Sequence, residues 1–84
     1  MPLLRRLDEL PDGARGIVRR VVPCSDTLDA AMLRRLGELG FIPGESVQLQ
    51  RRGSGGREPL AVRVGDTLFA LRQIEARCIE VDTA

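Results

Sequence analysis

The sequence predicts a small, mainly β domain: a partly open barrel of about five short strands, with one α-helix inserted after the first strand. Three observations carry that expectation. Val47 and Leu49, and then Leu60, Val62 and Val64, alternate with polar or small residues, which is the period of a half-buried strand. Leu28, Ala31, Met32, Leu36 and Leu39 recur every three or four residues, which is the period of one helix face. Glycine and proline punctuate the chain between these runs, and so small a sheet buries its edges best by curling.

The 84 residues allow one domain, 1–84, divided into a capping segment (1–13), a helix (27–39) and the main strands (45–81). LDELPDG, Leu7 to Gly13, ends in a Pro-Asp-Gly turn and should lay Leu7 and Leu10 on the core. ARGIVRRVV, Ala14 to Val22, is rich in β-branched residues and predicts the first strand, although Arg19 and Arg20 blur its inward face. Pro23 stops it. Ser25, Asp26 and Thr27 offer N-caps, and Asp29 suits the first turn of a helix beginning near Thr27.

LGELGFIPGESVQL, Leu36 to Leu49, then turns the chain. Gly40 stands where a helix end needs a left-handed residue, and Phe41 just beyond it can fold back on Leu36. Ile42-Pro43-Gly44-Glu45 fits a type II turn. Gly37, inside the last helical turn, is expected to admit a close approach by a strand. RGSGGRE, Arg52 to Glu58, predicts a flexible loop, and Pro59 suits a strand start. Gly65-Asp66 predicts a two-residue hairpin turn into TLFAL, RQIEA one helical turn, and RCIEV the last strand.

Composition excludes several functions. All 13 basic residues are arginine, they nearly balance 12 acids, and histidine, tyrosine and tryptophan are absent. There is no ordinary general base near neutral pH, no aromatic groove for proline-rich peptides and no stacking platform for nucleic acid. No convergent acid, base and nucleophile group appears, so the chain reads as non-enzymatic. The glycines of LGELGFIPG lack the lysine of a phosphate loop and the strand-before-helix order of a dinucleotide site. MPLLRRLDELPDG is neither a signal peptide nor a membrane span, which predicts a cytoplasmic protein. There Cys24 and Cys78 are expected as free thiols.

The wording LRRLGELGFIPGESVQLQRR, then EPLAVRVGDTLFALR and ARCIEV, resembles the FeoA family, the small accessory proteins of bacterial ferrous iron transport, from about Leu7 to Val81. That resemblance implies an SH3-like barrel. It also implies a role beside the membrane transporter FeoB, whose cytosolic part carries a GTP-binding domain, with the membrane reached only through FeoB. FeoA-like modules also end iron-dependent repressors. The alternative function is therefore a metal-responsive regulatory module acting through a separate DNA-binding protein. The absence of a preceding winged helix favours the stand-alone accessory.

Two surfaces are candidates for partner binding. One is the helix face of Arg34, Arg35 and Glu38 with the apolar pair Phe41 and Ile42; the other is the basic hairpin of Arg51, Arg52 and Arg57. Each also has a plain structural reading, as solvent face, corner packing or hairpin tip. No cofactor is required. Cys24, Asp26 and Asp29 could supply sulfur and oxygen to a weak or subunit-bridging divalent metal, or simply form an N-cap beside a small thiol. A homodimer is compatible with free sheet edges.

Overall fold

The computed structural model describes residues 3–23, 30–53, 55 and 57–83. In chain order these form β1 (Leu3–Arg6), a 3-10 turn (Leu7–Glu9), β2 (Arg15–Val21), α1 (Ala30–Glu38), β3 (Ser46–Gly53), β4 (Arg57–Val64), β5 (Thr67–Leu71), α2 (Gln73–Ala76) and β6 (Ile79–Thr83). The strands lie in one antiparallel sheet in the order β1-β6-β2-β3-β4-β5. The inner face carries Val18, Val47, Leu49, Leu60, Val62, Leu71, Ile79 and Val81, which share a single buried cluster with Leu36 and Phe41. Leu7 and Leu10 close that cluster from the capping segment, as their spacing around the Pro-Asp-Gly turn predicts.

Six strands stand where about five were expected, and α1 follows the second strand, not the first. The extra strand is β1, whose LLRR has no alternation of its own and is strand only because it pairs with β6, Leu4 opposite Asp82 and Arg6 opposite Glu80. The blurred pattern of β2 also has a structural cause. Its register against β6 shifts between Val18 and Arg20, a bulge that leaves both Arg19 and Arg20 outside. There they meet acids of β6: Arg19 bridges Asp82 at 3.3 Å and Arg20 bridges Glu80 at 2.5 Å.

The expected loop after Arg52 is shorter than predicted, because β3 continues to Gly53 and β4 begins at Arg57, two residues before Pro59. The ladder is irregular there, pairing Arg52 with Leu60 and Gly53 with Arg57, so Glu58 and Pro59 fall in a bulge where a missing amide is tolerated. The two-residue turn at Gly65-Asp66 is present, with positive φ at Gly65 only, the pattern of a type II′ hairpin.

α1 is described from Ala30, so its start near Thr27 lies outside the described residues, as does Leu28. Of the predicted stripe, Leu36 is buried and Met32 and Leu39 are half-buried. Ala31 is exposed, and Leu33 joins Leu39 against the core instead. The helix therefore packs along a face rotated from the one expected. Among the described residues no strand makes the close approach expected at Gly37: a Cβ built there meets nothing within 4 Å.

The two glycines at the end of α1 should respond oppositely to alanine. Gly37→Ala should stabilise the domain by about 0.5–1 kcal/mol through helix propensity and reduced chain entropy. Gly40→Ala, at φ +117°, should cost about 1–2 kcal/mol. Urea unfolding midpoints of the two variants test both signs.

Candidate partner-binding surface

The surface is organised by the way α1 ends. The Phe41 amide donates to the Leu36 carbonyl at 3.1 Å and the Gly40 amide to the Gly37 carbonyl at 3.0 Å, the paired bonds of a glycine-terminated helix. The same two residues bury their side chains in the common core cluster, Leu36 and Phe41 each being only 1% exposed. Phe41 also lies beside Phe69 of β5, ring centres 6.1 Å apart. The type II turn follows, with Gly44 at φ +93° and the Glu45 amide donating to the Ile42 carbonyl at 3.1 Å. The turn is then fastened to β2: the Gly44 amide donates to the Val18 carbonyl and the Val18 amide to the Glu45 carbonyl, both at 2.8 Å.

This geometry divides the residues expected to bind a partner. Phe41 is removed from the surface, because its ring completes the core. Ile42, one residue later, is 47% exposed on the outside of the turn. Arg34, Arg35 and Glu38 are exposed on α1, and none forms an ion pair among the described residues. Beside them runs a groove of about 520 Å³ between α1 and the edge strand β5, floored by Met32, Leu39 and Phe69 and rimmed by Arg35, Arg72 and Glu75. Sequence reasoning missed the β5 side of that groove. Nothing local in TLFALR indicates that it lies against a helix some thirty residues earlier.

The basic hairpin does not act as one group. Arg51 is exposed, pointing to the outer face opposite Ala61. Arg52 turns the other way and ties the hairpin to the capping segment: it donates to the carbonyls of Asp8 at 2.5 Å and Leu10 at 3.0 Å and to the Asp12 carboxylate at 2.8 Å. Three charge-assisted bonds on a part-buried guanidinium make it a structural clamp. Arg57 enters β4 opposite Gly53. The Ile42 turn and this hairpin sit at opposite ends of β3, roughly 20 Å apart along the strand.

Cys24, Asp26 and Asp29 lie outside the described residues. Among the described residues there is no group of three or more metal-ligating side chains. Cys78 is fully buried, its Sγ donating to the Ile74 carbonyl at 3.2 Å.

The model of the FeoA domain matches residues 5–83. The chain belongs to the FeoA family. Among solved structures it is similar to the zinc-complexed FeoA of Stenotrophomonas maltophilia, described as a procaryotic SH3 domain protein. The two are 44% identical over 93% of this chain and 89% of that one, with a TM-score of 0.81. It is also similar to the FeoA protein of Chlorobium tepidum, at 30% identity over 94% of this chain and 70% of that one, TM-score 0.80. A manganese-dependent transcriptional repressor is 25% identical over the whole of this chain but only 44% of its own length, TM-score 0.78. None of the curated proteins matches. The SH3-like fold that the resemblance implies is thus the fold of the family, and the family's association is with ferrous iron transport.

The contrast between neighbouring arginines is measurable. Arg52→Ala should lower stability by about 2 kcal/mol, because bonds to buried-side carbonyls and a carboxylate are lost together. Arg51→Ala should stay within about 0.5 kcal/mol of the parent, as surface changes usually do. Equal effects in chemical denaturation would contradict the clamp.

Proposed function

We propose that this FeoA-family chain is a non-enzymatic accessory protein that modulates ferrous iron uptake by docking on the cytosolic part of FeoB. The observation that carries the reading is that α1 and the turn after it expose two arginines, Arg34 and Arg35, with no acid partner among the described residues, and an apolar residue, Ile42. Arginine serves bidentate contacts to carboxylates, and an apolar anchor ringed by such charges is the usual make-up of a binding surface. Ile42 sits on a turn held by backbone bonds of 2.8–3.1 Å among the turn, the helix end and β2, so the surface is preorganised. The α1–β5 groove beside it offers room for one apolar side chain of the partner.

The reading places the chain in the cytoplasm, at the membrane only through FeoB, and away from nucleic acid. No helix among the described residues is long and apolar enough to cross a membrane. The alternative, a metal-responsive regulatory module, rests on the fold shared with the manganese-dependent repressor, and no residue described above adds to it.

Calorimetric titration into detergent-solubilised FeoB tests the surface. Reversing Arg34 and Arg35 together to glutamate should weaken binding about tenfold or more, the scale of losing two charge contacts at an interface rim. The unfolding midpoint should stay close to that of the parent. Unchanged affinity, or loss of affinity only in step with unfolding, would remove α1 from the contact.

A further inference from the structure

The sheet ends in two edges, and they are built differently. β1 is Leu3–Arg6, LLRR, and its two adjacent arginines guard it, since two such edges brought together would set like charges against each other. β5 is Thr67–Leu71, TLFAL, with no charge, no proline and no glycine, and Leu68 on it is 54% exposed. Among the described residues no strand lies beyond it. Such an edge is a template for another strand.

Its backbone fixes how a strand could join. The two-residue turn makes Val64 and Thr67 a hydrogen-bonded pair, and alternation along the ladder then bonds Phe69 to Val62 and Leu71 to Leu60. The amides and carbonyls of Leu68 and Ala70 therefore point away from β4, toward the free edge. A second β5 running antiparallel, with Phe69 opposite Phe69, sets Leu68 against Ala70 on both sides of the axis, which closes four backbone hydrogen bonds. The same register sets Asp66 of one copy opposite Arg72 of the other, twice. Among the described residues neither Asp66 nor Arg72 has an ion-pair partner.

We propose that β5 is a self-complementary edge at which two copies of the chain join their sheets antiparallel about Phe69, locked in register by reciprocal Asp66–Arg72 pairs. The occupant is a second copy because the charge pattern is complementary to its own reversal: acid before the strand, base after it, apolar between. Pairing also covers apolar surface on both faces. Leu68 and Ala70 meet on the outside, while the two half-buried Phe69 rings meet on the side of the α1–β5 groove, a close non-hydrogen-bonded pair suited to aromatics. This assembly goes beyond the docking on FeoB and does not depend on it.

The test is a charge exchange followed by sedimentation equilibrium. The parent protein should self-associate reversibly between about 10 μM and about 1 mM, the range expected of a small interface. Asp66→Arg and Arg72→Asp should each weaken association about tenfold, since each turns two attractive contacts into two repulsive ones. An equimolar mixture of the two variants should associate at least as well as the parent, because mixed pairs restore both contacts. In the parent, the Leu68 and Ala70 amides should gain hydrogen-exchange protection as concentration rises. A parent that stays monomeric over that range, single variants that associate as the parent does, or a mixture no better than its components would overturn the proposal.

Discussion

Phe41 is held under α1 by the bond from its amide to the Leu36 carbonyl, and the exposed side of the molecule takes its position from that closure. With the ring seated in the core beside Phe69, the chain has one way out, through Pro43 and Gly44 to the Val18 backbone. Ile42 is left outside as a consequence, and α1 is fixed with its arginines outward. Loss of the left-handed residue at Gly40 would release the helix end, the turn and the groove together, because the same few bonds hold all three.

A second constraint works at the other end of the sheet. Arg52 collects two carbonyls of the capping segment and the Asp12 carboxylate, pinning Leu7 and Leu10 over the open end of the core. A chain this short has little apolar surface to spare, so two buried leucines and a clamp of charged hydrogen bonds are a large share of what holds it. The arginine-only basic set suits such work, since a planar guanidinium can serve several acceptors at once where an ammonium serves as a point charge. Charge on this protein is thus divided between fastening, at Arg19, Arg20 and Arg52, and outward presentation, at Arg34, Arg35 and Arg51.

What the sequence made legible was local chemistry. The glycine-closed helix end, the type II turn, the strand alternation from Val47 to Val64, the hairpin at Gly65 and the single turn RQIEA all depend on residues within about six positions of one another. What it concealed was set by distant partners. LLRR is a strand because of β6, some 75 residues later, and Arg52 is a clamp because of carbonyls more than forty residues earlier. The exposure of Ala31 and the open space at Gly37 depend on how α1 is rotated against the sheet, which the spacing of apolar residues leaves ambiguous by one position. For the candidate site, the α1 face and Ile42 were visible in the sequence, whereas the burial of Phe41 and the β5 wall of the groove appear only once strand and helix are brought together.

The central claim is that the closed end of α1 presents this chain's contact surface, and amide chemical shifts measure it most directly. Titrating the unlabelled cytosolic GTP-binding fragment of FeoB into the isotope-labelled protein should move resonances of α1, of the Ile42 turn and of the β5 residues beside the groove. Shifts confined to the hairpin around Arg51 or to the β1 edge, with α1 unmoved, would contradict it.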